Sequence, residues 1–462
     1  MSRRLPYSIA IATQVFLFGC IDSESDSPEL STEESELNAQ QVANDTGVAE
    51  TYSLLGSLPY LKANNAFFKN MGTSGRTCAS CHSAPGGWTP SASQELWNDT
   101  HGNDPLFQFT HDVGACPDSP IAKKQDRKRT MKLLLERGLA RSAVTVQPAW
   151  EFEVVAVDDP YACSGTTATT FFGYRKPNPS FAASHKTSVT WAPAPQPDMR
   201  ATLNGLVVGA TRAHGLTTYT PTDEEQKQGT DFMMFTYFAQ IRDKQAGRLD
   251  EGGARGGPRH LAEQAWFVGI NHASTGPTTK KVFDLYDAWL GTGGCGHPGD
   301  DDDDHHHAYR HRHDHRNWKQ ARRRALIAEG QELFNFRANA AGGTCSGCHN
   351  SPNVGTRSVY QLFDIGIVDA DDDDLPRVTL RNKATGQERT VTNLGRAAAT
   401  GLWSDVGKMA VPILRGLASR APYFSSGQAR TLRDVVRHYD ARFNFGFTAH
   451  EKRALVAFLE SL

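Results

Sequence analysis

Cys78-Ala79-Ser80-Cys81-His82 and Cys345-Ser346-Gly347-Cys348-His349 are the two stretches from which the rest of the chain is read. Both are C-x-x-C-H pentapeptides, the attachment sequence of c-type haem. The spacing has a chemical reason. Two thiols one helical turn apart bond the two vinyl groups of one haem, and the next histidine supplies the proximal iron ligand. The chain has 8 Cys and 17 His in 462 residues. In random order that composition yields one such pentapeptide about 0.005 times. A thioredoxin-like redox motif needs neither the histidine nor a second copy. A zinc ribbon sets its two C-x-x-C units close together, whereas Cys81 and Cys345 lie in opposite halves of the chain. The motifs therefore predict two covalently bound c-type haems. Cys78 and Cys81 carry one, with His82 on its iron, and Cys345 and Cys348 carry the other, with His349 on its iron.

The flanks of the two motifs match. Tyr60, Leu61, Ala63, Phe67 and Phe68 recur at helical spacing before the loop Met71 to Thr77, and Ala325, Leu326, Ala328, Leu333 and Phe334 do so before Ala340 to Thr344. Thr448 and Glu451 form a capping box for a last helix whose apolar stripe is Leu455, Phe458, Leu459 and Leu462. Helix, small-residue loop and haem motif, twice over, predict a mainly α-helical fold. It has two cytochrome c-like haem domains, long loops and a low-complexity insert between the domains.

Hydrophobic residues are 39% of the chain, charged residues 22%, and the net charge is -2. This balance suits a globular protein and excludes the strongly basic surface of a nucleic-acid binder. Arg3 and Arg4 precede an apolar run, Leu5 to Gly19, too short to span a bilayer. It ends in Leu17-Phe18-Gly19-Cys20, which resembles a bacterial lipobox. Residues 1–19 are read as a lipoprotein-type signal peptide and Cys20 as the lipidated residue, with an ordinary secretory signal as the alternative. The expectation is an exported protein, lipid-anchored at Cys20, in the periplasm or on the outer membrane. Residues 20–50 are acidic and polar and are read as a flexible tether. The first haem domain is then 51–290, a His/Asp-rich linker 291–320, and the second haem domain 321–462.

The C-terminal stretch carries a family resemblance. Val411-Pro412-Ile413-Leu414-Arg415-Gly416, followed by Ala421-Pro422-Tyr423-Phe424-Ser425-Ser426-Gly427, resembles the bacterial di-haem cytochrome c peroxidase and MauG superfamily. Members of that family carry P-x-L-R-N and then A-P-Y-F-H-D-G. Here Gly416 replaces the Asn and Ser425 replaces the His. The resemblance implies a sixth iron ligand for the second haem on the helix after A-P-Y-F. That ligand is Met in ordinary peroxidases and Tyr in MauG-like members. Leu432, Val435, Val436 and Tyr439 share one face of that helix, which Thr431 and Asp434 cap. Tyr439 is the leading ligand. The alternatives are Met409, His438, and a Tyr439 that is simply a buried core tyrosine.

At the first haem the resemblance implies an open iron and a distal acid–base residue. His214 stands about where peroxidases place Glu, and is the expected distal residue, as base or as a closing sixth ligand; the alternative is a loop or core histidine with no haem contact. Trp191, in Ser188-Val189-Thr190-Trp191, matches the family's tryptophan between the haems, although the D-G-R that follows it in the family is absent. Arg415 is expected to support a haem propionate or the contact between haems. The family also holds a calcium ion between its domains, whose ligands the sequence does not place. The resemblance thus implies a peroxidase or MauG-like oxidase that takes hydrogen peroxide. Its electrons come from an electron-donor protein or a quinol-linked cytochrome. The alternative is a non-enzymatic di-haem electron-transfer lipoprotein, which the missing His and D-G-R favour.

Three features remain. Asp300 to Asp304, His305 to His307, His311, His313 and His315 form a low-complexity run, read as a solvated linker with weak metal affinity as the other reading. Asp371 to Asp374 is read as an exposed acidic loop. Cys116, Cys163 and Cys295 allow one disulfide in an oxidising compartment, and Cys116–Cys163 is the expected pair.

Overall fold

In the computed structural model the described residues are 39–273, 281–291, 310–369 and 371–462, with the backbone alone for 310–317. The signal peptide, Cys20, the first part of the tether, Cys295 and Asp300 to His307 lie outside them. Among the described residues no helix is long and apolar enough to cross a membrane.

The fold is mixed α/β, with 36% helix, 16% strand and four sheets, which corrects the mainly α-helical expectation. The reason lies in what the strands bury. Thr236–Asp243 runs through the four-stranded sheet with nearly every side chain buried. A strand buried on both faces shows no period of two, so its sequence does not announce it. It pairs antiparallel with Gly47–Ser53, which pairs in turn with Ala39–Asn44. Residues 39–50 are therefore sheet and not tether. Their polar composition is satisfied locally: Asn44 Oδ1 takes the Thr46 and Gly47 amides of the turn, and Gln41 donates to Glu50 across the hairpin at 2.9 Å.

A second sheet joins sequence-distant segments. Phe152–Asp158 pairs with Arg377–Asn382, which pairs with Glu388–Val391. The cores also mix the two halves. Phe67, Trp88 and Phe232 pack with Val354 and Ile413, and Tyr286 and Trp289 pack with Ile327, Phe334 and Phe458. The segments 51–290 and 321–462 thus share sheets and cores. The helix Arg310–Phe336 takes in residues 310–320 of the expected linker.

The terminal helix is Ala449–Glu460, with its Thr448/Glu451 capping box in place. It lies against Arg310–Phe336, and Gly330 makes the approach possible: a Cβ there would sit 2.0 Å from the Ala454 carbonyl oxygen. Gly416, at φ +71°, is in the left-handed region, and a Cβ would meet the Phe238 ring at 2.4 Å.

Asp371 to Asp374 is not simply an exposed loop. Asp372 and Asp374 take Arg137 at 2.6 and 2.7 Å, and Asp374 takes Lys132 at 2.6 Å. The expected Cys116–Cys163 disulfide is present.

Candidate functional site

Each C-x-x-C-H motif forms one helical turn, Cys78–Cys81 and Cys345–Cys348, between a threonine N-cap and its histidine at the C-cap. The histidines are then held in the same way. His82 Nδ1 donates to the Trp88 carbonyl at 2.9 Å, and His349 Nδ1 donates to the Gly355 carbonyl at 2.6 Å, six residues downstream in both cases. Ser180 Oγ lies 2.8 Å from the same nitrogen of His82. A backbone carbonyl on Nδ1 fixes the tautomer and leaves Nε2 as the free lone pair, the usual arrangement of a metal-ligating imidazole. Burial pushes both histidines down to about 4, so the imidazoles are neutral at physiological pH and fit to ligate.

The four motif cysteines form no disulfide. Burial pushes Cys78 up to about 11 and Cys81 and Cys345 up to about 12, and raises Cys348 as well. Two thiols on one helical turn beside a neutral imidazole suit thioether attachment of a haem.

Beside the second motif is a cavity of about 330 Å³. Cys345, Cys348 and His349 form one wall, and Ile365, Ile367, Val435, Val436 and Leu455 are among its apolar residues. Tyr439 and Met409 both line it, while His438 does not: its Nε2 is turned to the Ile365 carbonyl at 2.9 Å. Tyr439 comes from the helix Leu432–Phe443, whose Thr431/Asp434 capping box is as expected. Burial, then Cys348 and Cys345, raise its pKa. Among the described residues its hydroxyl makes no hydrogen bond. An apolar cavity with two thiols, one Nε2 and an unsatisfied phenol at its walls fits a planar apolar cofactor carried on the motif.

His214 stands on the helix Met199–Gly215. Its Nδ1 donates to Asp112 in a short contact. The other carboxylate oxygen of Asp112 takes the buried Arg76 guanidinium at 2.7 Å. Burial alone raises the Asp112 carboxyl, but the His214 bond and the Arg76 charge outweigh it and hold the group at about 2. His214 also lies beside the chain leading into the first motif, since the Ser74 hydroxyl donates to its carbonyl at 2.9 Å. The ligating atoms of His111, Asp112 and His214 lie within 4.8 Å of one another, with Asp112 already committed to Arg76 and His214.

Trp191 lines the cavity of the second motif and donates from Nε1 to the Lys176 carbonyl at 2.6 Å. Arg415 lies away from the cavity. It is wholly buried, and its guanidinium is spent on the carbonyls of Leu462, Asn353 and Gly257 at 3.3, 3.0 and 2.9 Å. It ties the chain end to the core and does not line the cavity. The buried cations that do line it are Lys176 and Arg420. Asp112, Lys176 and Arg420 are the site residues that sequence reasoning missed.

No protein-family model matches the chain. Curated proteins do. The cytochrome-c peroxidase IdrP1 of Denitromonas iodatirespirans is 29% identical over 163 residues, 31% of this chain and 43% of that protein. IdrP1 of Pseudomonas sp. (strain SCT) is 32% identical over 151 residues, 29% of this chain and 38% of that protein.

Over about 30% of its length this chain is similar to cytochrome-c peroxidases.

The matches span less than half the length of these relatives, and they support the cytochrome-c peroxidase family. That family implies covalently bound c-type haem. A solved structure of a MauG-like protein associated with microbial copper homeostasis is 21% identical, covering 32% of this chain and 55% of that one, with a TM-score of 0.23. At that score the superposition does not bear on the fold.

Proposed function

We propose that this protein is an exported di-haem c-type cytochrome that reduces hydrogen peroxide at the haem carried by Cys78, Cys81 and His82. Electrons reach it through the haem carried by Cys345, Cys348 and His349. The observation that carries the reading is the repeated histidine geometry, two Nδ1–carbonyl bonds of the same span leaving two Nε2 atoms free, in a chain similar over part of its length to cytochrome-c peroxidases. Haems bound there supply the redox chemistry, and the protein supplies orientation and proton handling.

His214 is the acid–base group. Its Nδ1–H stays on Asp112, so Nε2 presents a lone pair that takes a proton from incoming peroxide and returns it to the departing oxygen. Asp112 stays ionised because Arg76 holds it, and it stabilises the imidazolium that forms in between. Tyr439 would hold the iron of the second haem together with His349, since ferric iron takes phenolate readily. Trp191 lies on the route between the two sites. The donor is an electron-donor protein or quinol-linked cytochrome, met at a membrane to which Cys20 anchors the chain.

One observation favours a second reading. A histidine aimed through Nδ1 by a carboxylate is also a good iron ligand, so His214 would close the first iron and leave a di-haem electron carrier. Electron paramagnetic resonance of the purified ferric protein, before and after stoichiometric hydrogen peroxide, separates the two. One high-spin and one low-spin signal, both lost on peroxide addition, are expected. Two low-spin signals indifferent to peroxide would leave the carrier, and a protein isolated from a haem-maturing host without bound haem would end both readings. Tyr439→Phe is expected to move the low-spin signal alone.

A further inference from the structure

Lys176, Lys186 and Arg420 are buried together, with relative exposures of 5%, 6% and 6%. Among the described residues none of them has a carboxylate partner. Buried charge is normally paired, because the interior repays desolvation only through an opposite charge. Their known partners are neutral. Lys176 Nζ donates to the carbonyls of Arg420 and Pro422, both at 2.5 Å. Lys186 Nζ donates to the Pro179 carbonyl at 2.8 Å and sits 5.2 Å from the centre of the Phe181 ring. Arg420 Nη2 donates to the Ile413 carbonyl at 2.7 Å, and its buried Nε has no partner. An ammonium carries three donors and a guanidinium five, so every member of the trio keeps donors in hand.

Their position is informative. Lys176 and Arg420 line the cavity of the second motif. Lys186 Nζ holds the Pro179 carbonyl, next to Ser180, whose hydroxyl lies 2.8 Å from His82 Nδ1 of the first motif, and the Arg420 side chain packs over Gly87 in the loop that follows that motif. The trio therefore bridges the two motifs. Left without an anion, it is electrostatically frustrated. Burial, with the charge of Arg420 added, pushes Lys186 down to about 7 and lowers Lys176 strongly, and burial takes Arg420 down to about 10.

We infer that Lys176, Lys186 and Arg420 form an anion site for carboxylates, and that its occupants are the propionate groups at the edges of the haems proposed above. This rests on the two-haem reading. It assigns the role first expected of Arg415 to three other residues.

The test uses the full chain matured with haem. Covalent haem is counted by the pyridine haemochrome assay, and midpoint potentials are read by spectroelectrochemistry. For Lys176→Met and Arg420→Met the expected result is two haems per chain, as in the unaltered protein, with at least one potential shifted downward. A lost cation favours the ferric form, doubly so when the carboxylate it neutralised remains. Lys186→Arg keeps the charge and is expected to keep both potentials. Redox-difference infrared spectra of the unaltered protein need no variant to fold, and are expected to show ionised propionate bands. Two haems with unmoved potentials in both Met variants would overturn the carboxylate site and leave the two-haem reading standing, as would protonated propionates in the infrared spectra. Added inorganic phosphate that shifts the unaltered protein's potentials would show that a free anion occupies the trio, and would also overturn it. Fewer than two haems in the unaltered protein would end the two-haem reading itself.

Discussion

At Asp112 both carboxylate oxygens are committed, one to Arg76 and one to His214. Asp112→Asn keeps the shape and removes the charge. If His214 handles the peroxide proton, turnover is expected to fall about 10- to 100-fold with haem content unchanged, the usual cost of losing a carboxylate behind a functional histidine. Steady-state peroxidase assays check this. The same change strands the buried Arg76, at a cost to stability of about 3 kcal/mol. The pH dependence has a definite sign. Asp112 is held at about 2 in the fold, below the ordinary aspartate value of about 3.9. Its contribution is complete above pH about 4 and is lost as pH falls through about 2. It amounts to about 2 kcal/mol at neutral pH. Denaturation curves of the parent and Asp112→Asn proteins should therefore converge toward pH 2. Tyr439 was legible in the sequence because its face of the helix and its cap are local. Asp112 was not, because its partner His214 is 102 residues away.

Helix by helix, close approach decides more than propensity. Gly330→Ala should gain about 1 kcal/mol of intrinsic helix preference. The added methyl would have to share space with the Ala454 carbonyl oxygen of the facing helix. Overpacking of that kind costs about 1–3 kcal/mol, so a net loss is expected, read as a lower Tm in thermal melts of the matured protein. The Cys116–Cys163 disulfide, closing a separation of 47 residues, contributes about 4 kcal/mol in the chain-entropy account. The Cys116→Ser, Cys163→Ser double variant is expected to lose about 2–4 kcal/mol in urea titrations. Because the Arg141 amide bonds the Asp112 carbonyl at 2.6 Å and Arg141 Nε bonds the Gly114 carbonyl at 3.1 Å, that loss should also loosen the support under His214.

Across the whole molecule, the two haem motifs belong to one interleaved body. The strand Phe152–Asp158 pairs with Arg377–Asn382, and Arg137 meets Asp372 and Asp374. Arg137 and Asp372 are mostly buried, with side-chain exposures of 16% and 9%. Their pair is therefore worth more than the 0–1 kcal/mol of a surface pair. Arg137→Ala is expected to cost about 1–3 kcal/mol, measured by chemical denaturation. Both motifs should unfold in one transition, since the cores packed against Cys78 and Cys345 each draw on both halves. Two separate transitions reported by the two haem absorptions would contradict this.

What the sequence determined by itself was local chemistry. Both C-x-x-C-H turns, the small-residue loops before them, the Thr431 and Thr448 caps and the Tyr439 face follow from residues within a few positions of one another. Only the tertiary structure decided the rest. Thr236–Asp243 shows no period because both its faces are buried, and polar residues 39–50 become strand because a partner strand satisfies them. Arg415 is spent on the carbonyls of Leu462, Asn353 and Gly257, while Lys176, Lys186 and Arg420 gather where, among the described residues, no carboxylate follows. Such groupings depend on which distant segments meet, and burial then sets the cost of every unpaired charge they carry.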